Sequence, residues 1–237
     1  MKRIVLINEL GKYPVFTLKT VGEIIEKDRG YAKLVVYRLK KDKLIFEIEK
    51  NRYTLQKDPL IVASNIIWPS YISCWSALRY YNLTEQLPQV TSVMTTRVRR
   101  KREIIFDNTR IVFTKIKPKY FFGYRKERRR DFNIFIAEKE KALIDSALFK
   151  KISFSEIGDI IKDNIRAINV NLLVDYLIKI RNKALIKRFG FLLESLGIDT
   201  YDRFKEPLDS KYIPLDYALM AEGKKDKKWR VIKNAEL

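Results

Sequence analysis

Lys33, Tyr37 and Lys41 recur at i, i+4 and i+8. On a helix that spacing puts them on one side, away from Ala32, Val35, Val36 and Leu39. Two ammonium groups and a phenol on one helical side suit noncovalent contact with phosphates and base edges. Arg38 is their neighbour, and Lys50 and Arg52 flank a turn at Asn51. A second group is denser. Positions 97–130 hold 14 basic residues and three acidic ones (Glu103, Asp107, Glu127), a balance of +11 in 34 positions. Two knots stand out: Arg99-Arg100-Lys101-Arg102, just after Arg97, and Arg125-Lys126-Glu127-Arg128-Arg129-Arg130. The planar Arg fork donates two parallel hydrogen bonds to a phosphate. Arg97, Arg99, Arg100, Lys101, Arg102, Arg125, Arg128, Arg129 and Arg130 are therefore candidate phosphate ligands. The other readings of this stretch are a mobile loop and a patch that pairs with an acidic protein.

Catalytic chemistry is hard to find. The 237 residues include no His, which removes the usual general base and the commonest metal ligand. Cys74, the single Cys, forms neither an internal disulfide nor a thiolate zinc site, and nothing near it in sequence resembles an activating base. A magnesium-dependent nuclease would need an acid and a (D/E)-x-K on adjacent strands. That spacing occurs at Asp209/Lys211, Glu222/Lys224 and Asp226/Lys228, in a tail that reads as irregular. There is no G-x-x-x-x-G-K-[ST] and no G-x-G-x-x-G. The expectation is a protein that is not an enzyme and carries no cofactor or metal.

The whole chain agrees with a binding role. Its 49 basic and 29 acidic residues give +20 and a pI near 9.9, which suits a polyanion, most often nucleic acid. A solvated Lys-rich surface of a heat-adapted protein is the competing reading, and only three Gln residues fit it. With 46% apolar residues the chain folds. The apolar run at 4–7 is too short for a signal segment, and no stretch approaches the roughly 18 apolar residues of a membrane span. The expected location is the cytoplasm, with no membrane partner.

Periodicity indicates what positions these residues. Helices are expected at 1–10, at 18–27 with Thr17 as cap, and at 31–43, followed by a hairpin around Asn51. Asp58-Pro59 marks a boundary. Beyond it, helices are expected at 59–67 and, capped by Ser70, at 71–81, where Ile72, Trp75 and Leu78 take helical spacing as core residues. Short strands are expected at 90–95, 104–106, 111–116, 121–122 and 132–136. Helices follow at 138–149, to 162 from Ser153 or Ser155, at 172–180 from Asn169 or Asn171, and at 182–196. The tail from 200, with Pro207, Pro214 and Gly223, reads as irregular. The expected fold class is α+β: a winged helix-turn-helix over 1–57, then a larger mixed α+β domain over 58–237. In such a unit the third helix enters the major groove, so Lys33, Tyr37, Arg38 and Lys41 face DNA and the hairpin tip, Lys50 and Arg52, touches the backbone.

Several motifs, in order, carry a family resemblance. The amino end has Arg38-Leu39, Leu44-Ile45 and Asn51-Arg52-Tyr53. Next come Asp58-Pro59-Leu60-Ile61-Val62-Ala63, Pro69-Ser70-Tyr71-Ile72-Ser73 and Ser76-Ala77-Leu78-Arg79-Tyr80-Tyr81, then Glu85-Gln86-Leu87-Pro88. Further on are Ile136-Ala137-Glu138-Lys139-Glu140-Lys141-Ala142-Leu143-Ile144-Asp145, Arg188-Phe189-Gly190-Phe191-Leu192-Leu193-Glu194 and Trp229-Arg230-Val231-Ile232. Across nearly its whole length the chain resembles the AbiEi-type antitoxins, the transcriptional-regulator half of type IV abortive-infection toxin–antitoxin systems. The resemblance implies a winged helix that binds operator DNA in its own promoter. It also implies a carboxy-terminal part that opposes a toxin with a nucleotidyltransferase fold. Asn51 departs from the Gly usual at the wing turn, and Asn tolerates the left-handed conformation needed there. The charge of 97–130 is not explained by the family. The expected function is a DNA-binding transcriptional regulator and antitoxin. The rivals are a protein-interaction antitoxin with incidental DNA binding and a magnesium-dependent nuclease or RNA-processing protein.

Overall fold

The structure, a computed structural model, describes residues 2–204 and 208–236. Met1, Pro207 and Leu237, each inside a segment read above, lie outside them. The fold is mixed α+β, with open sheets. Contacts divide the chain into two compact units that do not follow its linear order. The first contains Met1–Ile72, Gln89–Ile116 and Lys126–Phe135; the second contains Ser73–Pro88, Lys117–Arg125 and Ile136–Leu237. The boundary read at Asp58-Pro59 falls inside the first unit.

The first unit begins with α1 (Arg3–Gly11), α2 (Leu18–Ile25) and α3 (Arg29–Lys41), then a hairpin of β1 (Phe46–Glu49) and β2 (Arg52–Thr54). Thr17 caps α2 through a capping box with Thr20, and Asp28 caps α3. Leu6, Leu10, Phe16, Val21, Ala32, Val36, Leu39, Ile45 and Tyr53 form one core. The hairpin also serves a second core: Ile48 is buried with Val62, Ala63 and Ile66 of α4 (Pro59–Asn65) and its flank, against Val93, Ile104, Phe106, Ile111 and Phe113. The remaining strands are β3 (Ser70–Ser73), β4 (Val90–Thr95), β5 (Glu103–Phe106), β6 (Thr109–Lys115), β7 (Tyr124–Arg129) and β8 (Phe132–Ala137). They form one sheet in the order β5-β6-β4-β3-β8-β7. β4 runs parallel to β6 from Val90↔Arg110 to Thr95↔Lys115, while β5 and β6 are an antiparallel hairpin. Its turn, Asp107-Asn108, has φ 44° and 62°, the conformation a two-residue hairpin needs.

Three expectations fail here for physical reasons. The helix expected at 71–81 is a strand followed by the shorter α5 (Trp75–Tyr80). All four residues of β3 are buried, because it lies inside the sheet with a neighbour on each side. Pairing on both edges overrides a helical spacing that was accidental, and the expected cap Ser70 donates instead to the Ile67 carbonyl at 2.6 Å. Phe121 and Phe122 follow a 3-10 turn at Pro118–Tyr120 and are not a strand; the strand is β7, too charged to read as one.

The second unit is mainly helical. After α5 come α6 (Lys139–Leu148), α7 (Phe154–Asp163), α8 (Val170–Ile180), α9 (Lys183–Ser195) and the short α10 (Tyr201–Phe204). Ser153, Asn169 and Asn182 are the caps of α7, α8 and α9. The expectation of an irregular tail is corrected: β9 (Ile213–Pro214), β10 (Lys224–Asp226) and β11 (Val231–Lys233) form a sheet in the order β10-β11-β9.

Helix α9 explains how the tail is held. Arg188 donates to the carbonyls of Pro214 and Leu215 at 3.1 and 3.0 Å. Buried Lys187 donates to Asp209 and to the Lys211 carbonyl, both at 2.5 Å. Trp229 is buried and donates its indole N–H to Glu194. Gly190 makes room for that indole, since a Cβ at 190 would land inside the Trp229 ring. Gly190→Ala is therefore expected to destabilise the protein by about 1–3 kcal/mol through overpacking, read as a lowered urea midpoint.

The same contacts are pH-sensitive. Hydrogen bonding from Lys228, then from Trp229, holds the Glu194 carboxyl below the usual range. Burial pushes Asp216 up, but bonds from the Ser155 side chain and from the Ala218, Ser155 and Phe154 amides outweigh it and leave it lowered. A carboxyl depressed by folding stabilises above its unfolded pKa, near 4, and loses that contribution as pH falls through the folded value. Trp229 is expected to shift its emission to the red below about pH 4, in a variant with Trp68 and Trp75 replaced by Phe. An unchanged spectrum down to pH 2.5 would contradict this.

Candidate nucleic-acid interface

Helix α3 is built from its cap upward. The Asp28 carboxylate accepts from the amides of Gly30 at 2.6 Å and Tyr31 at 3.0 Å. These bonds, that from Tyr31 foremost, hold its carboxyl below the usual carboxylate range. Burial of Ala32, Val36 and Leu39 then fixes the rotation of the helix. Lys33, Tyr37, Arg38 and Lys41 consequently face solvent, and the Tyr37 side is 65% exposed. Lys40 pairs with Glu47 of β1, and that bond raises its pKa above the usual ammonium range. The pair ties α3 to the hairpin.

The turn between β1 and β2 is tied to α2. Asn51 takes φ 63°, the left-handed conformation, and its Oδ1 accepts from the Leu18 amide at 3.1 Å. Lys50 is exposed at the tip. A groove of about 450 Å³ runs between α3 and the hairpin. Arg29, Lys33, Tyr37, Lys40, Lys50 and Asn51 are among its lining residues. Arg29 and Lys40 are additions to the sequence reading. Arg29 stands at the first helical position and Lys40 one residue off the Lys33–Lys41 stripe, so spacing alone did not mark them.

Arg52 departs from the expectation. It is half-buried, donates to the Ile66 carbonyl and pairs with Glu49 at 3.2 Å. Its guanidinium is held within the first unit instead of presented at the tip.

The first basic knot lies between β4 and β5. Arg99 is 10% exposed at its side chain and pairs with Glu49 at 2.7 Å. Its guanidinium lies 4.1 Å from the centre of the Phe113 ring, and its Nε donates to the Lys101 carbonyl at 3.1 Å. Arg99 is thus a structural cation and not a free phosphate ligand. The reason is desolvation: a half-buried carboxylate beside the hairpin needs a cation, and the planar guanidinium satisfies it while covering an aromatic face. The same anchor fixes the loop 96–102 beside the hairpin end. Arg97, Arg100, Lys101 and Arg102 are exposed around it.

The second knot is strand β7 and its turn. Arg129 is half-buried and donates to Asp58, the cap of α4, at 2.6 Å, so it too is occupied. Arg125 lies over the Tyr81 ring at 5.3 Å, and Arg128 donates to the Arg130 carbonyl at 3.0 Å. Arg128 and Arg130 are exposed. Of the nine candidate phosphate ligands, Arg99 and Arg129 are thus engaged by carboxylates.

Two of the three tail acids in the (D/E)-x-K spacing are engaged as well, and Glu222 is exposed. Asp209 accepts from Lys187, and Asp226 accepts from the Trp229 amide at 2.8 Å. Among the described residues no group of three or more His, Cys, Asp or Glu is placed to hold a metal ion. Among them, too, no helix is long and apolar enough to cross a membrane. Burial pushes the Cys74 thiol up to about 12. Searches of protein-family models and of curated proteins found no match to the chain.

Proposed function

We propose that the protein is a DNA-binding transcriptional regulator that reads its operator with α3 and the neighbouring hairpin. The observation that carries this reading is the solvent side of α3, where Lys33, Tyr37 and Lys41 stand beside a groove lined by Arg29 and Lys50. The short link between α2 and α3, residues 26–28, agrees with a helix-turn-helix, and the β1–β2 hairpin would be its wing. The mechanism is occlusion of a promoter, with phosphate contacts supplying affinity and groove contacts supplying sequence choice. The resemblance to AbiEi-type antitoxins adds the second role, opposition to a nucleotidyltransferase-type toxin.

The test is binding to the DNA upstream of the protein's own gene at several salt concentrations. Protection of a discrete site, with affinity falling steeply as salt rises, is expected. Uniform coverage with no preferred site would overturn the reading. Arg100→Ala, Lys101→Ala and Arg102→Ala together are expected to flatten the salt slope by about 2–3 and to weaken all sequences alike. Arg99→Ala is expected to act differently. It leaves Glu49 half-buried without its main cation, so it should lower thermal stability and change the salt slope by less than about 1.

The toxin role is best separated by point variants. Ile48 of the hairpin belongs to the core shared with the sheet, so removal of residues 1–57 would open that core. A Lys33→Ala, Tyr37→Ala protein that no longer represses but still protects cells from the toxin would assign neutralisation elsewhere in the chain.

A further inference from the structure

Strand β7 ends the six-stranded sheet, so one of its backbone edges faces away from β8. Its register on β8 follows from two observations. A two-residue turn, Arg130-Asp131 with Arg130 at φ 52°, pairs Arg129 with Phe132. The Glu138 amide donates to the Gly123 carbonyl at 2.9 Å, which is the same register six residues on. Arg129 and Glu127 therefore exchange hydrogen bonds with β8, while the N–H and C=O groups of Lys126 and Arg128 point outward. Lys126 lies opposite Phe135 and Arg128 opposite Asn133, on the sheet face away from buried Phe132 and Ile134.

That face is not wholly polar. The Phe135 ring carries the ring of Trp68 at 4.6 Å between centroids, and Trp68 is 58% exposed. An exposed Trp beside an outward-facing strand edge and two exposed cations combines the features of a strand-addition site: backbone groups to pair, an aromatic anchor and charge to select the partner. Charge also decides between occupants. A second copy of β7 would bring four basic residues and a single acid against the same set, and like charges opposite each other destabilise a strand pair. Basic edge side chains guard a sheet against such self-association. The same charges favour an extended segment with Asp or Glu at alternate positions.

We propose that the outer edge of β7, flanked by Trp68 and Phe135, is a docking site for an extended acidic segment of a partner protein, which adds to the sheet as a seventh strand. This goes beyond the DNA-binding reading and does not depend on it.

The test uses the full chain and a fluorescein-labelled peptide of about ten residues, alternating Glu with Val or Tyr. A control peptide of equal charge has alternate backbone amides N-methylated, so that it cannot pair as a strand. The first peptide is expected to bind and to shift Trp68 emission. The control is expected to bind about tenfold more weakly or worse. Lys126→Glu with Arg128→Glu should weaken the first peptide by about tenfold. Lys126→Pro removes an outward donor, which edge strands tolerate, together with one cation; it should abolish peptide binding, where Lys126→Ala, which removes the cation alone, only weakens it, and should leave duplex DNA affinity within about twofold. Thermal unfolding of each variant confirms that it remains folded. Equal binding of the two peptides would reduce the site to bulk charge and overturn the proposal, as would no binding of either. Loss of duplex binding in the Lys126→Pro protein would assign the edge to DNA and overturn it equally.

Discussion

Replacing Lys141 by Met is expected to lower the unfolding free energy by about 3–5 kcal/mol. Lys141 and Asp145 lie one turn apart on α6, and the side chains of both are fully buried. The Lys141 ammonium donates to one carboxylate oxygen of Asp145, and the Ser73 hydroxyl donates to the other at 2.8 Å. The ammonium also lies 5.3 Å from the centre of the Phe122 ring. Removing the cation leaves a fully buried carboxylate without the ammonium that faces it. Removing both charges is far less harmful, because neither ion then has to leave water. Lys141→Met with Asp145→Asn, which keeps an acceptor for Ser73, should regain most of the loss. Urea unfolding of the two single variants and the double variant closes the cycle. A double variant as unstable as Lys141→Met alone would show that packing of the long side chain, and not the charge pair, is what the first substitution removes.

The second large effect concerns recognition. Lys33→Ala with Tyr37→Ala is expected to reduce the preference for operator over random DNA by about tenfold or more, while binding to random DNA falls much less. Both side chains are exposed, so stability should move by less than about 0.5 kcal/mol. The residual affinity should keep its steep salt dependence, because Arg100, Lys101 and Arg102 are untouched. Equal losses on the two DNAs would mean that α3 contributes only charge. A loss confined to random DNA would place sequence reading outside α3.

Much of the local structure was legible. The apolar stripe Ala32, Val35, Val36, Leu39 predicted which side of α3 is buried, with Val35 half-buried at its margin, since a 3.6-residue period leaves little freedom. Asn51 at the hairpin turn and Asn182 at a helix start are decided by backbone chemistry within a few residues, and of the paired cap candidates Ser153 or Ser155 and Asn169 or Asn171 the structure uses Ser153 and Asn169. The failures occur where partners are distant in sequence. Residues 70–73 became a strand because both edges are paired, and a helical spacing of Ile72, Trp75 and Leu78 carried no information about that. β7 escaped notice because edge strands accept charged side chains that propensity scales penalise.

The +20 charge without a single histidine, the helix sides that carry cations and the two arginine-rich knots are all legible along the chain. Which of those cations remain available depends on contacts between distant residues. Arg52, Arg99 and Arg129 look identical to their neighbours in the sequence, yet Glu49 and Asp58, between three and 71 positions away, hold them. The reason is that charge is a property of a residue, whereas desolvation and pairing belong to the fold. A guanidinium is free for a phosphate only where no buried carboxylate has claimed it.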